Sequence, residues 1–372
     1  MKENPLKKLE TLGQSIWLDY IRRDLIRSGE LRRLIEEDGL RGMTSNPSIF
    51  EKAIAESHIY DQDIRDMAIR KKDVKAIYEA LSQCDVKNAA DEFKPVYEKT
   101  DGKDGYVSLE VNPHLAQDTK GTLEEARRLW AALNRPNVFI KVPATSDGLP
   151  AIQQLISEGI NVNVTLLFGL PRYRQVAEAY IAGLEARAAQ GKQVKHIASV
   201  ASFFLSRIDT LVDPLVEKFL ELGGKKTEIA MKVHGQVAIS SAKAAYQIYK
   251  EIFGNNRFKK LADKGARVQR LLWASTSTKN PDYSDIKYIE AIIGSDTVNT
   301  VPRETIDAYR DHGDPKLRLE QDIKEANWIM ARLPELGISI DKVTQQLEDE
   351  GIKKFAEPFD KLIEALTKKS SE

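Results

Sequence analysis

The chain has 372 residues, in which 56 Lys plus Arg balance 56 Asp plus Glu. Zero net charge gives no field that would attract nucleic acid or an anionic membrane surface, and no apolar run is long enough to span a membrane. The single cysteine, Cys84, excludes an internal disulfide and indicates a reducing compartment. Because the charged first residues also lack the apolar core of a secretory signal, we expect a cytoplasmic protein.

Eight short segments along the chain have the apolar, β-branched composition of strands, and they alternate with helical segments. Such alternation predicts a parallel sheet, and eight units predict a closed (β/α)8 TIM barrel of the α/β class. An open doubly wound sheet is the alternative, but no glycine-rich dinucleotide fingerprint follows the first segment. The predicted strands are 15–20, 41–45, 106–111, 137–142, 161–167, 196–202, 270–275 and 296–301.

Helical signals fill the connections and the C-terminal part of the chain. The crossovers 50–105 and 207–269 are long enough for two or three helices each. Within 121–134, Thr122 and Glu125 have the spacing of a capping box. Asp314 and Pro315 are typical of an N-cap and a first helical residue, and we expect helices over 316–368 packed on the barrel. No Pro/Gly/Ser linker interrupts the chain, which predicts one domain over 1–372.

Lys141 lies inside the apolar fourth segment, NVFIKV. Burial removes water from an ammonium and disfavours its charged form. A lysine amine with a free lone pair can attack a carbonyl carbon and form a Schiff base. The plainer alternative is an edge-strand lysine that reaches water or pairs with a carboxylate.

Polar residues also occur at the C-terminal ends of the other predicted strands. These ends meet at one mouth of a TIM barrel, where active sites of this fold are found. Each residue alone could be a cap or a turn residue, but burying all of them together without a polar ligand would be costly. The set consists of Asp19, Thr44, Ser45, Asn46, Glu110, Lys141, Asn163, Thr165, Ser199, Ser202, Ser275 and Asn299.

This combination of side chains suits chemistry on a sugar phosphate. A protonated imine on lysine draws electrons and allows a C–C bond to break, while Asp19 or Glu110 could remove a hydroxyl proton. Amides and hydroxyls such as Asn46, Asn163, Thr165 and Ser202 can both donate to and accept from a polyhydroxylated chain. Arg207 after the sixth strand, and STSTKN (275–280) with Lys279 after the seventh, could bind the phosphate. Arg207 could instead pair with Asp209 on a helix surface.

Seven motifs in order resemble the transaldolase family, from about Asp19 to Asn299. The runs TSNPS and NVNVTLLF are the most specific, and the length and long crossovers resemble its longer bacterial branch. The motifs are LDYIRR (18–23), MTSNPSIFEKAI (43–54), YVSLEVNPHLAQDT (106–119), FIKVPAT (139–145), GINVNVTLLF (159–168), ASFFLSRID (201–209) and WASTSTKNP (273–281).

The resemblance implies a Schiff-base transferase without a metal or other cofactor. It implies transfer of a dihydroxyacetone unit from sedoheptulose 7-phosphate to glyceraldehyde 3-phosphate, giving erythrose 4-phosphate and fructose 6-phosphate, in the pentose phosphate pathway. The scattered positions of the five histidines, which show no metal-ligand spacing, agree with this expectation.

The resemblance also implies a role for each site residue. Lys141 would be the nucleophile, Asp19 the acid/base, and Glu110 the proton relay through a water held with Thr165. Asn46 and Asn163 would hold substrate hydroxyls, with Thr44 and Ser202 in support and Phe204 packed against the sugar. The phosphate would be bound by Arg207 and Ser275.

The sequence departs from the family after the seventh strand. The better-known pattern there is Ser, an aromatic residue and Arg, whereas this chain has Ser275, Thr276 and Ser277. Lys279 could supply the second cation, although an ammonium lacks the two-pronged geometry of a guanidinium.

Two alternatives to a transaldolase remain at this point. A fructose 6-phosphate aldolase would use the same lysine but release free dihydroxyacetone, and the carboxylate pair Asp19 and Glu110 favours the transferase. A barrel that only binds sugar phosphates or a partner would not form a Schiff base. The sequence leaves the oligomeric state open, and a homodimer could form through the outer helices.

Overall fold

A computed structural model of the protein describes residues 4–371 and contains eight parallel strands closed into a barrel in chain order. Each strand overlaps one of the eight predicted segments, so the (β/α)8 TIM barrel is confirmed. The strands are β1 (Gln14–Asp19), β2 (Gly42–Thr44), β3 (Tyr106–Glu110), β4 (Val138–Pro143), β5 (Val162–Leu167), β6 (Ser199–Phe204), β7 (Arg270–Ala274) and β8 (Thr297–Val301).

Helices surround the barrel and occupy the connections between its strands. Within residues 4–371, none of them is both long and apolar enough to cross a membrane. Two short 3-10 helices cover Pro113–Leu115 and Leu333–Leu336. The α-helices are α1 (Pro5–Thr11), α2 (Arg23–Arg27), α3 (Glu30–Glu37), α4 (Pro47–Ala55), α5 (Asp61–Ile69), α6 (Val74–Lys99), α7 (Thr119–Leu133), α8 (Gly148–Glu158), α9 (Leu170–Ala189), α10 (Ser206–Glu217), α11 (Lys225–Val233), α12 (Val237–Phe253), α13 (Asn256–Ala262), α14 (Lys287–Glu290), α15 (Arg303–His312), α16 (Ile323–Arg332) and α17 (Ile340–Ser371).

The two long crossovers differ from each other. The connection from β2 to β3 contains α4, α5 and α6, as predicted, whereas the connection from β6 to β7 contains the four helices α10 to α13. The start of β6 also differs from the prediction. Residues 194–197 form a turn, in which Ile197 N–H donates to Val194 O, and the backbone N–H of Ala198 is taken by the Asn161 side chain. The strand therefore begins at residue 199 rather than 196.

Two predicted helix starts are wrong. Helix α7 begins at Thr119 and is capped by Asp118, whose carboxylate accepts from Gly121 N–H, while the Thr122 hydroxyl donates to Leu115 O. Thr122 is therefore not an N-cap. Asp314 does not start a helix either, because its carboxylate pairs with Arg318 and Lys316, and residues 316–322 are not helical. The corrected C-terminal helices are α16 and α17.

Aromatic rings fill the barrel below its C-terminal mouth. Phe139 stacks on Tyr106 with ring centroids 4.3 Å apart and lies 6.1 Å from the ring of Trp17. Trp17 occupies the space beside Gly42, where a Cβ atom would lie 2.5 Å from the indole. Such a contact is not allowed, so β2 needs glycine here if the indole is to fill the barrel. A layer of packed aromatic side chains therefore lies below the polar mouth of the barrel.

A buried ion pair lies at the opposite, N-terminal end of the barrel. The guanidinium of Arg270 lies 3.0 Å from the Asp104 carboxylate and donates to Ser15 Oγ at 2.6 Å and to Thr297 O at 2.8 Å. Both charged side chains are less than a tenth exposed. These contacts link β1, β7 and β8 to the turn before β3. Each of the two buried charges compensates the other.

Candidate active site

Strand register brings the predicted site residues to the C-terminal end of the barrel. Glu110 on β3 is paired with Lys141 on β4, and Lys141 is paired with Asn163 on β5. Asp19 on β1 is likewise level with Thr44 on β2. Because all eight strands are parallel, strand ends far apart in sequence lie in the same layer.

A cavity of about 270 Å³ opens at this end. Its wall includes ten of the twelve residues to which the sequence analysis gave a role, while Glu110 and Asn163 lie behind the first layer of side chains. Ser45, Ser199 and Asn299 of the predicted polar set are also outside this wall. Ser199 begins β6, so its prediction at the C-terminal end of the strand is wrong. The lining residues are Asp19, Thr44, Asn46, Pro47, Ser48, Lys141, Thr165, Ser202, Phe204, Arg207, Ala274, Ser275, Thr276, Ser277, Lys279, Thr300, Pro302, Glu304, Lys354 and Phe355.

Lys141 is enclosed at the base of this cavity and is only 4% exposed. Its Nζ donates to Ser45 O at 3.2 Å and lies 3.4 Å from Glu110 Oε2. Burial raises the pKa of Glu110 to about 7, although the nearby Lys141 ammonium opposes the rise. Near neutral pH this carboxyl group can therefore either hold or release a proton.

Within residues 4–371, the buried oxygens of Glu110 and the Thr165 hydroxyl have no partner in hydrogen-bond geometry, although Glu110 Oε2 forms the ion pair with Lys141. Thr165 lies where the pairing of β5 with β6 shifts by one residue, and the next residue, Leu166, has a φ of 55°. A left-handed leucine is strained, and such strain is retained when the surrounding structure requires it. The Thr165 hydroxyl therefore enters the cavity wall at the irregular part of β5.

Asp19 is held in the cavity wall by the Thr44 hydroxyl. The Thr44 hydroxyl lies 2.7 Å from Asp19 Oδ1 and 2.7 Å from Thr300 Oγ1. Burial raises the pKa of Asp19, while the Lys141 charge and the Thr44 hydrogen bond lower it. The result is a fixed carboxylate with enhanced basicity that faces the same cavity as the lysine.

Asn163 lies behind Ser202. The Ser202 hydroxyl donates to Asn163 Oδ1 at 2.6 Å, and Asn163 Nδ2 donates to Ser108 Oγ at 3.0 Å. Asn163 is fully buried, so the cavity wall at this point is the serine. The described contacts of Asn163 are thus with these two serines, and its predicted contact with substrate stays a prediction.

Asn46 has a structural contact as well as a place in the cavity wall. Its Oδ1 atom accepts from Ile49 N–H at 3.1 Å and caps α4, which Pro47 begins. The cap fixes the side chain and leaves its NH2 group as a donor. The turn-only alternative for Asn46 is therefore incomplete, because the residue is both a helix cap and part of the cavity lining.

Two partly buried cations, Arg207 and Lys279, line the cavity after β6 and β7, and Lys354 of α17, which also lines it, is paired with Glu350. Arg207 is the second residue of α10, and its guanidinium lies 5.7 Å from the Phe204 ring centroid. Burial lowers the pKa of both cations, and the Arg207 charge lowers that of Lys279 further. Asp209 does not pair with Arg207, because its carboxylate accepts from Ala238 N–H and the Tyr288 hydroxyl.

The β7 loop that carries the second cation is joined to α10. Ser275 has a φ of 53°, its hydroxyl lies 3.0 Å from Ser206 Oγ, and its carbonyl accepts from Ser206 N–H. Lys279 Nζ donates to Ser277 Oγ at 2.7 Å. The left-handed Ser275 bends the chain after β7 so that the hydroxyl-rich loop stays beside Arg207.

Several residues of the cavity wall were missed by the sequence reasoning. Thr300 lines the cavity from β8, whereas Asn299, the residue singled out there, is buried and accepts from Thr276 Oγ1. Ser48 and Thr276 lie within the motifs 43–54 and 273–281 and could have been found from them. Lys354 and Phe355 belong to α17, and no local signal connects this helix to the barrel mouth.

Within residues 4–371, no group of three or more His, Cys, Asp and Glu side chains is arranged to hold a metal ion. The described site instead combines an amine, two carboxyl groups of raised pKa, hydroxyl groups and two cations. Such a set can form an imine, move protons and bind an anionic, polyhydroxylated ligand.

Comparison with known proteins agrees with this chemistry. A family model described as "Transaldolase/Fructose-6-phosphate aldolase" matches residues 16–366. The chain is 52% identical to "Transaldolase" of Trichodesmium erythraeum, over 99% of this chain and 98% of the relative. It is 49% identical to "Transaldolase 2" of Nostoc sp. (98% and 97% covered) and 47% identical to "Transaldolase" of Thiobacillus denitrificans (97% and 99% covered). The similarity therefore extends through the barrel and α17.

Proposed function

The chain belongs to the transaldolase/fructose-6-phosphate aldolase family, and we propose that it is a transaldolase that works through a Schiff base on Lys141. The observation that carries this proposal is the enclosed Lys141 amine, 3.4 Å from Glu110, at the base of a polar cavity shared with Asp19 and two cations. Near-full-length similarity to proteins called transaldolase favours the transferase over the aldolase.

The first step is attack of the neutral Lys141 amine on the ketone carbon of the donor. The resulting carbinolamine must lose its hydroxyl as water to give the imine, so a proton has to reach that oxygen. We propose that Glu110 supplies and recovers this proton through a water held with Thr165. The pKa of Glu110, about 7, supports this role, as do Glu110 Oε1 and the Thr165 hydroxyl, which have no hydrogen-bond partner within residues 4–371.

Cleavage follows from the positive charge on the protonated imine. Asp19 removes the proton from the C4 hydroxyl, the C3–C4 bonding electrons move toward the imine, and the aldehyde leaves. A dihydroxyacetone enamine then remains on Lys141. Its C3 attacks the acceptor aldehyde, whose oxygen takes the proton back from Asp19, and hydrolysis of the new imine releases the ketose product.

The remaining polar residues bind the donor. We propose that Asn46 and Asn163 hold its hydroxyls, that Thr44 and Ser202 support the site through their hydrogen bonds to Asp19 and Asn163, and that Phe204 packs against the sugar. The phosphate binds between Arg207, Ser275 and Lys279. Support for this clamp comes from the low solvation of both cations and from the hydroxyl-rich loop between them. The implied donor is sedoheptulose 7-phosphate, and the implied acceptor is glyceraldehyde 3-phosphate.

Borohydride trapping tests the proposed function. Reduction in the presence of fructose 6-phosphate should leave a stable adduct on Lys141 that peptide mass spectrometry locates, and Lys141→Ala should leave none. Lys243→Ala is a matched control, because Lys243 is a largely buried lysine that donates to Gln321 O away from the cavity. Absence of an adduct on the wild-type protein would refute the Schiff-base mechanism.

Fructose 6-phosphate alone distinguishes the transferase from the aldolase. The transferase should release little dihydroxyacetone until an acceptor aldehyde is added. Rapid catalytic release of dihydroxyacetone without an acceptor would instead establish the aldolase.

We also propose that residues 1–372 act as one domain, because α17 contributes Lys354 and Phe355 to the barrel cavity. Cytoplasmic location is supported by the exposed, unpaired Cys84 thiol. The oligomeric state, for which the sequence allows a homodimer through the outer helices, would be tested by light scattering of the purified protein.

A further inference from the structure

Helix α17 lies across the C-terminal mouth of the barrel. Two ion pairs and one His–Asp hydrogen bond along its length connect it to segments that follow β5, β3 and β2. These segments all lie at the C-terminal end of the barrel, and the helix between them brings Lys354 and Phe355 over the cavity. The pairs are Glu348 with Arg172 of α9 at 3.3 Å, Asp360 with His114 at 2.7 Å, and Lys369 with Asp61 of α5 at 2.7 Å.

Gly351 allows the helix to approach the strands closely. A Cβ atom at this position would lie 2.9 Å from Leu166 Cδ2, at the residue where β5 is irregular. A larger residue would push the helix away from the barrel or displace the leucine. One turn further along the same helix, Phe355 enters the cavity wall.

Phe355 covers the amine of Lys141. The distance from Lys141 Nζ to the centroid of its ring is 5.5 Å, and the ring is 7% exposed. Most of the cavity wall is polar, and within residues 4–371 Phe204 is the other aromatic residue that lines it. The ring therefore places apolar surface beside the reacting nitrogen, where bulk water would otherwise have access.

We propose that Phe355 is a specificity-determining residue that protects the dihydroxyacetone enamine on Lys141 from bulk water and so favours transfer over hydrolysis. This inference rests on the proposed function. The family description itself names both a transaldolase and an aldolase, so the fate of this intermediate separates the two outcomes.

The competing reaction has two steps. Bulk water protonates C3 of the enamine, which leaves hydroxide and converts the enamine to the imine. Addition of water to the imine carbon gives a carbinolamine, and breakage of its C–N bond releases dihydroxyacetone and the free amine. The net change consumes one water molecule. A single water held by Glu110 and Thr165 serves imine formation and product release, whereas the Phe355 ring limits the bulk water that would protonate C3.

Phe355→Leu and Phe359→Leu form a matched pair of variants. Both phenylalanines lie on α17 and are 7% exposed, but Phe359 packs on Tyr78 and His114, outside the cavity wall. Each variant is supplied with fructose 6-phosphate and erythrose 4-phosphate, and free dihydroxyacetone is measured relative to sedoheptulose 7-phosphate. Phe355→Leu should raise this ratio about tenfold, equivalent to about 1.4 kcal/mol between the two barriers, and Phe359→Leu should leave it unchanged.

An unchanged ratio in Phe355→Leu, or an equal rise in both variants, would overturn the inference. If Phe355→Leu fails to fold, Phe355→Met retains most of the volume without the ring and makes the same prediction. Borohydride adducts on Lys141 are measured in parallel. An adduct without a change in ratio refutes the role of Phe355 alone, whereas absence of an adduct on the wild-type protein refutes the proposed function.

Discussion

Replacing Glu110 with glutamine should make the folded protein more stable at alkaline pH and a poorer catalyst. Burial raises the pKa of Glu110 from the usual 4.5 to about 7. Between these values the folded protein holds a proton that the unfolded chain has released, so the free energy of unfolding falls as pH rises through this window. The resulting loss in the free energy of unfolding is small at pH 5 and almost complete at pH 8.

The size of the effect follows from the shift. One pKa unit corresponds to about 1.36 kcal/mol, and titration from 4.5 to 7 removes about 2.5 kcal/mol of stability between pH 5 and pH 8. Glutamine has nearly the same shape but does not titrate. The stability of Glu110→Gln relative to wild type should therefore be greater at pH 8 than at pH 5 by about 2.5 kcal/mol.

Urea unfolding of both proteins at the two pH values measures this difference. Groups that titrate alike in both proteins, such as Asp209 with its pKa of about 6, cancel in the comparison. Glu124→Gln, on the exposed face of α7, serves as the surface control. A pH-independent difference, or greater relative stability of the variant at pH 5, would refute the assignment of a proton to Glu110 at neutral pH.

The catalytic part of the same experiment is borohydride trapping. If Glu110 relays protons during imine formation, Glu110→Gln should slow formation of the Lys141 adduct by roughly 10²–10⁴-fold. A normal trapping rate would show that the relay uses another group, even if the stability prediction succeeds.

Three further predictions concern other parts of the molecule. Asp19→Asn should form the Lys141 adduct normally but lose C–C cleavage by roughly 10²–10⁴-fold, as measured by aldehyde release; near-normal turnover would reject its role. Arg207→Ala and Lys279→Met should each raise KM for phosphorylated donors more than for dihydroxyacetone or free fructose, and an equal effect on both donor types would argue against the clamp. Asp104→Ala should lower the free energy of unfolding by about 3–5 kcal/mol because it leaves Arg270 buried without its partner, and a change below 1 kcal/mol in urea titrations would contradict this account.

The sequence determined the barrel because its signals are local. Each strand is a short apolar run, and parallel strands necessarily place their C-terminal ends at one mouth. The sequence therefore predicted that Lys141, Asp19 and Thr165 lie at the same end of the barrel. Local signals were less reliable at helix ends. Thr122 and Asp314 have the residue types of caps, but their side chains are occupied by Leu115 O and by Arg318 and Lys316.

Only the tertiary structure decided which polar residues face the cavity. Asn163 and Ser202 are both polar and at the end of a strand, yet the hydrogen bond between them places the serine in front. The raised pKa of Glu110 could not be predicted from the sequence either, because it depends on desolvation by all the side chains around this residue.

Helix α17 shows most clearly what the sequence did not predict and the tertiary structure decided. Phe355 is distant from Lys141 in sequence, and no motif in the residues around it indicates a contact with the barrel. Its position over the amine follows from the ion pairs of α17 and from the close approach at Gly351. The sequence therefore determined the nucleophile and its strand, because those depend on neighbouring residues, whereas long-range packing decided what covers the nucleophile.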